Sequence, residues 1–309
     1  SQYNGIYDTH LRDESTFNIG FNAALDEAIL IANRANIHLH IAHIKALGVD
    51  VWGQSKNAIA KIESAQAKGI SISADQYPWP ASGTRISNAL LPRWVKSGTV
   101  EDYMMRLNDP ALRDKILADT RENLRKRGGP KAVLITQDKN GWQGLTLDQI
   151  AARNSISAVD MAIEIARQGD ARIASFNMNA DDIAAFMRQP WVMTSSDGST
   201  GHPRKYASFP RKYETYIKEQ GLMDVGTFIH RSTGLTAQTF GLCDRGFLRD
   251  GYKADIVVFD PDSFRQIADF HKPEELSEGV THLFINGETV IRDKISLPVF
   301  PGRVLKRCS

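Results

Sequence analysis

The sequence predicts an α/β fold built on a parallel sheet or barrel, and three observations carry that reading. Short β-prone stretches alternate with longer amphipathic ones at the start of the chain. A helix-rich stretch then interrupts the rhythm, which resumes after residue 170. The last sixty or so residues change style again, to strands joined by turns.

Taken in order, "NGIYDTHL" (4–11) is a short strand, and "NIGFNAALDEAILIANRAN" (18–36) is a helix with Leu25, Ile29 and Ala32 on one stripe. "IHLHIAHI" (37–44) is the next strand. "SKNAIAKIESAQAKG" (55–69) is a helix closed by Gly69, and "ISISADQYPW" (70–79) is a strand ended by proline. Strand, helix, strand, helix, strand argues for parallel pairing. Residues 85–170 read as an inserted helical lobe with one short strand, "KAVLITQ" (131–137). The βα rhythm returns with the strand "IASFNMN" (173–179), the helix "ADDIAAFMRQ" (180–189) and the strand "WVMTSSDG" (191–198), followed by helices to about residue 240. "DGYKADIVVFD" (250–260) and "VTHLFINGETVIRD" (280–293) are strands of a small β module, the latter folding back through Asn286-Gly287. No internal repeat or low-complexity tract occurs.

With 309 residues the chain has ample core, and 38 basic against 36 acidic residues give no sign of a nucleic-acid or membrane partner. The basic run "RENLRKRGG" (121–129) reads as a solvated helix end. Cys243 and Cys308 are too few for a disulfide framework and too far apart for a metal knuckle, which favours a reducing compartment. No apolar run approaches a spanning helix, and the first residues lack the pattern of a signal peptide. A cytoplasmic location is expected, unless a signal has been lost. Neither GxGxxG nor GxxxxGK[ST] follows a strand, so a phosphate-binding reading fails.

The stretch "HLHIAHIKALG" (38–48) concentrates three histidines. Strand alternation puts Ile37, Leu39, Ile41 and His43 on one face and His38, His40 and Ala42 on the other. In a barrel, branched apolar residues fill the inward face and chemistry sits at the C-terminal mouth, which makes His43 the candidate metal ligand. His38-x-His40 is open to two readings, a metal pair or structural histidines hydrogen-bonded under the helix layer or near the barrel floor, and the second is preferred. In "WVMTSSDGSTGHPR" (191–204) the same alternation places Asp197 at a strand mouth, as a metal ligand and general base or as a turn cap. Lys45, two residues beyond His43, is open to a supporting role beside it or to a solvated position, and the second is preferred.

These residues resemble a known family. "GIYDTHLRDE" (5–14), "IAHIKALG" (41–48), "ADQYPWPASGT" (74–84), "TSSDG…GHPRKYASFPRKYETYIKE" (194–219), "TGLTAQTFGLCDRGFLRDGYKADIVVFD" (233–260) and "THLFINGETVIRD" (281–293) are similar, in order, to the N-acyl-D-amino-acid deacylase (D-aminoacylase) family of the amidohydrolase superfamily. The resemblance implies a metal-dependent-hydrolase-type (β/α)8 barrel, present here only from its fourth to its eighth strand, with a helical insertion and part of a small β-sandwich module. The expected divisions are 1–84 (strands four to six), 85–170 (insertion), 171–240 (strands seven and eight with following helices) and 241–309 (β module and tail).

The activity implied is hydrolysis of N-acyl-D-amino acids to a carboxylate and a D-amino acid by zinc-activated water. His43 and Asp197 match metal ligands, Asp197 also being the general base, and Arg204 matches the arginine that pairs with a substrate carboxylate. That role suits a planar guanidinium. Tyr7, His10, Arg12, Tyr77 and Ser82 are further candidates for the substrate pocket.

Two ligands fall short of the three that a catalytic zinc takes. The family's H-x-H pair and metal-binding cysteine have no counterpart here, and no histidine stands near Asp75. The expectation is that this chain is the C-terminal part of a longer protein, that an N-terminal segment or second chain completes the barrel or else the chain takes a rearranged, open α/β structure, and that zinc is absent or partial and activity weak or lacking in this chain alone. The alternatives are an amidohydrolase acting on cyclic amides and a catalytically inactive α/β binding module.

Overall fold

The computed structural model describes residues 5–308; residues 1–4, which include the start of the first expected strand, and residue 309 lie outside the described residues. Strands β1 (Ile6–Thr9), β2 (His38–Ile41) and β3 (Ile72–Gln76) are parallel and joined by helices α1 (Phe21–Ala35) and α2 (Ser55–Ala67). Helix α1 ends where Asn36 turns left-handed, at φ 47°, and its N–H bonds back to the last turn. The expected βαβαβ start is therefore present.

The chain then leaves the parallel sheet. Strand β4 (Ala81–Arg85) opens a lobe containing α3 (Ile86–Leu90), α4 (Arg93–Lys96), α5 (Val100–Asn108), α6 (Arg113–Lys126), β5 (Val133–Gln137), α7 (Leu147–Arg153), α8 (Ala158–Arg167) and β6 (Arg172–Phe176). A capping box of Thr99 and Asp102 starts α5, and Ser157 caps α8. Ile86, Leu90, Ile116, Ile150 and Ile163 form the lobe's own core.

Residues 173–179, expected to rejoin the parallel sheet, do not do so. Strand β6 is antiparallel to both β4 and β5, in the order β4–β6–β5. Both of its edges are thereby paired, so it has no free hydrogen-bonding edge to offer β3. Strand β4 also belongs to this sheet, so the lobe begins before the expected boundary at residue 84. The neighbour of β3 is instead β7 (Val192–Thr194), reached through α9 (Ala180–Met187), with Ala74 opposite Val192. The parallel sheet is thus β1–β2–β3–β7, an open arc of barrel wall. Asp182 of α9 ties two crossovers together, accepting from the backbone N–H of Gly53 and Ser55 at the start of α2.

Beyond β7 come α10 (Arg204–Arg211), which runs into a π-helix (Lys212–Glu219), then α11 (Val225–Ser232) and α12 (Gly234–Phe240). The β module is the antiparallel sheet of β8 (Ile256–Phe259), β9 (Val280–Ile285), β10 (Glu288–Arg292) and β11 (Ile295–Ser296). Asn286 and Gly287 both take positive φ, 51° and 84°, as a type I′ hairpin requires. Cys243 and Cys308, read as too few for a framework, are bonded to each other and tie the C-terminal tail to the end of α12. Among the described residues no helix is long and apolar enough to cross a membrane.

The facing of β2 reverses the expectation. Leu39 and Ile41 pack with Ile72 and Ala74 against Phe21, Leu25 and Ala28 of α1, Ile62 of α2 and Phe186 of α9. The apolar face meets the helices because they present the larger apolar surface. His38 and His40 consequently look away from the helix layer.

Candidate metal and carboxylate site

Strand β2 stops at Ile41, so His43 does not follow strand alternation. It sits in the following turn at φ 40°, and Asp197 after β7 is likewise left-handed at φ 44°. Positive φ in a residue with a side chain costs roughly a kcal/mol or more and persists only where surroundings impose it. Here the His43 N–H donates to Asp75 Oδ1 at 3.1 Å, and the Ile44 N–H donates to Asp75 O at 2.8 Å.

Asp75 also terminates a ladder on the inner face of the sheet. His38 bonds Ser71 Oγ and Ser73 Oγ, each at 2.7 Å. His40 bonds Ser73 Oγ and Asp75 Oδ2, each at 2.8 Å, with the Phe240 ring edge-on to its own. Ser195 Oγ donates to Asp75 Oδ1. Every ring nitrogen of His38-x-His40 is engaged, as a structural pair requires.

The mouth of the sheet opens into a cavity of about 240 Å³. Of the expected site residues, His10, Arg12, His43, Tyr77, Ser82, Asp197 and Arg204 line it. Tyr7 does not; it packs on the apolar core behind the sheet. Arg12 is held at the rim by Glu27.

One wall of the cavity is a cluster that sequence reasoning only half found. His10 Nδ1 lies 2.9 Å from His43 Nε2, and Glu14 Oε1 lies 3.1 Å from His43 Nδ1. Lys45 is buried rather than solvated, with Nζ 2.6 Å from both Glu14 Oε1 and His43 Nδ1. Burial alone would raise the Glu14 carboxyl, but the Lys45 ammonium overrides it and holds Glu14 down at about 2. Burial likewise opposes the charge on Lys45, and Glu14 more than restores it. Burial lowers His10 against the pull of Glu14. His10, Glu14 and His43 form a group of donors all within 4.8 Å of one another. Glu14 stands four residues after His10 in a loop, which gave no helical spacing to recognise.

The opposite wall carries Arg204, Asp197 and Tyr77. Arg204 is 3% exposed; its Nη1 lies 2.7 Å from Asp197 Oδ2, its Nη2 donates to Ser199 Oγ at 3.2 Å, and its guanidinium covers the Tyr77 ring at 4.7 Å. Asp197 is thus paired with Arg204 and not shared with His43, although its charge acts on both His10 and Lys45. Among the described residues, the buried Nε of Arg204 and the buried hydroxyl of Tyr77 have no hydrogen-bond partner. Gly83 allows this approach, since a Cβ there would meet Arg204 Nη2 at 3.3 Å and the His202 ring at 3.2 Å. His202 fixes the start of α10: its Nδ1 accepts from the Arg204 N–H at 3.1 Å, so its Nε2 donates to Ala81 O at 3.0 Å.

The donor set suits a divalent ion. Two imidazoles and a carboxylate are a combination that zinc accepts with an open position for water. His43 would offer Nε2, because Lys45 occupies Nδ1, and Lys45 would have to yield Glu14.

A profile of the Amidohydrolase family matches residues 84–291. The D-aminoacylase of Alcaligenes xylosoxydans xylosoxydans is 30% identical over 311 residues, covering 99% of this chain and 56% of that protein. Among solved structures, a D-aminoacylase described with a binuclear metal centre superposes with a TM-score of 0.79 at 30% identity, covering 99% of this chain and 57% of that one. N-acyl-D-glutamate deacylase from Bordetella bronchiseptica, complexed with zinc and a phosphonate inhibitor, gives a TM-score of 0.75 at 27% identity over 94% of this chain and 53% of that one. The chain spans a little over half the length of these relatives. On these matches and this architecture, the chain belongs to the amidohydrolase family.

Proposed function

We propose that this chain forms part of a metal-dependent hydrolase that cleaves the amide of N-acyl-D-amino acids to a carboxylate and a free D-amino acid. The observation that carries the reading is the pair of orphaned buried donors, Arg204 Nε and Tyr77 Oη, on two residues that line one cavity with the His10–Glu14–His43 donor group. An unmet buried donor costs roughly 1–3 kcal/mol, which a bound carboxylate recovers. The relatives' names, D-aminoacylase and N-acyl-D-glutamate deacylase, support the substrate class.

Zinc is the metal we assign, with His43 as one ligand and His10 and Glu14 as partners within this chain. When bound, it supplies Lewis-acid polarisation of the acyl carbonyl and lowers the pKa of a coordinated water. Arg204 and Tyr77 orient the substrate through its α-carboxylate, with Ser82 on the same wall. Asp197 keeps Oδ2 on Arg204, and its Oδ1, which has no hydrogen-bond donor among the described residues, takes a proton from water and returns it to the leaving amine. His202 holds the Arg204 backbone in register for this work.

Zinc content and release of free amine from N-acetyl-D- and N-acetyl-L-amino acids test the reading together. The expected result is D-selective binding or turnover that requires zinc. Turnover of cyclic amides instead, or binding that is indifferent to metal, would overturn it in favour of another amidohydrolase activity or a non-catalytic module.

A further inference from the structure

The cavity contains more positive charge than its own carboxylates balance. Arg204 is paired with Asp197, Lys45 with Glu14 and Arg12 with Glu27 outside the cavity, while Asp13, the third carboxylate on the wall, accepts from the backbone N–H groups of Ser15, Asn18 and Gly20. Arg127 lines the same cavity, is 8% exposed, and has no carboxylate in ion-pair reach among the described residues. Arg93, also on the wall, bonds only the Arg12 carbonyl among the described residues.

Arg127 belongs to the basic run that reads from sequence as a solvated helix end, yet its head is built in. Its Nε donates to Ala89 O at 3.0 Å. With the Asn177 amide oriented to satisfy both its ends, Arg127 Nη1 donates to Asn177 Oδ1 at 3.0 Å. The Phe17 ring lies 5.1 Å from the guanidinium. All these partners are neutral. Burial draws the group down, though only to about 10, so it remains charged at neutral pH. Glu14 supports the charge from a distance, but a fixed, buried guanidinium with no carboxylate in contact is costly to maintain unless a ligand supplies the anion.

We propose that Arg127 forms a second carboxylate subsite, so that the substrate carries a carboxylate in addition to the one held by Arg204 and Tyr77. This rests on the reading of the cavity as an N-acyl-D-amino-acid site and narrows it to dicarboxylates. The second carboxylate comes either from the amino-acid side chain or from the far end of the acyl group. The inserted lobe, through the C-terminus of α6, is then a determinant of substrate choice as well as a structural addition.

Calorimetric titration of the zinc-loaded protein with N-acetyl-D-glutamate against N-acetyl-D-glutamine, and with N-succinyl-D-alanine against N-acetyl-D-alanine, tests this. At least one dicarboxylate is expected to bind about 10–100-fold tighter than its neutral counterpart; the pair that shows it identifies the source of the second carboxylate. Arg127→Met is expected to abolish that preference while leaving the affinity for the neutral compounds within about threefold. Arg127→Lys, which preserves the charge should the methionine variant fail to fold, is expected to retain part of it. Equal affinities within both pairs, or a preference that survives Arg127→Met, would overturn the subsite and leave the broader reading standing. Failure of all four compounds to bind would overturn both.

Discussion

Strand β2 and the turn after it deliver histidines into two settings only a few residues apart. His38 and His40 lie in a ladder where every ring nitrogen meets a serine or Asp75. His43 lies in a cavity whose opposite wall leaves Arg204 Nε and Tyr77 Oη without partners. The ladder is closed chemistry: its polar groups satisfy one another, and its role is to hold the inner face together. The mouth is open chemistry, with strained backbone, crowded charges and unmet donors. Asp75 links them, accepting from His40 below and from the His43 backbone above. The H-x-H spacing that looks most like a metal motif is therefore the structural element, and the isolated histidine is the candidate ligand.

The contrast is sharpest under substitution. His40→Ala removes the imidazole from a partly buried carboxylate and is expected to cost about 3 kcal/mol of stability, read as a lower urea midpoint with little change in ligand affinity per folded molecule. A His40→Ala protein of normal stability that lost zinc would reverse the two assignments. At the mouth the signature is the opposite: Arg204→Met is expected to weaken binding of N-acetyl-D-amino acids about 100-fold, while the urea midpoint falls only modestly. His43→Ala is expected to abolish zinc binding, measured after dialysis by metal analysis.

Elsewhere, a buried charge without compensation is expected to be a liability. Lys212 is 1% exposed, with Thr194 Oγ1 as its hydrogen-bond partner at 2.8 Å. Burial, reinforced by Arg231, brings its amine down to about 7. Its folded pKa lies below that of the unfolded chain, so stability is complete only above the unfolded value of 10.5 and declines as pH falls towards 7. Lys212→Met is expected to raise stability at neutral pH by about 2 kcal/mol, seen as a higher melting temperature.

The smallest expected effect concerns His202, which burial beside Arg204 lowers to about 3. The imidazole stays neutral in the fold, while the unfolded chain takes up a proton below 6.5, so its contribution is intact above pH 6.5 and is lost progressively down to about 3. Between pH 7 and 5.5 this amounts to about 1 kcal/mol, to be read as the difference in acid sensitivity between the wild type and His202→Gln.

Much of this was legible in the sequence. The βαβαβ start follows from the spacing of apolar residues, and the hairpin of the β module follows from Asn286-Gly287, whose positive φ values few other pairs accept. His10, Arg12, His43, Tyr77, Ser82, Asp197 and Arg204, singled out from four separated segments, line one cavity. Strand pattern and residue chemistry pointed to His43 and Asp197, whereas His10, Arg12, Tyr77, Ser82 and Arg204 were implied by the resemblance of whole segments to a known family.

Other features depend on which surfaces meet, and only the tertiary structure decides those. Residues 172–176 are an adequate strand in either sheet, and pairing on both edges with β4 and β5 made the choice. The apolar side of β2 turned to the helices because Phe21, Leu25 and Phe186 offered it more apolar surface than the barrel interior. Glu14, Lys45 and Arg127 look like solvated charges one at a time. Packing buried them together, and burial without water is what turns an ordinary carboxylate, amine and guanidinium into a site.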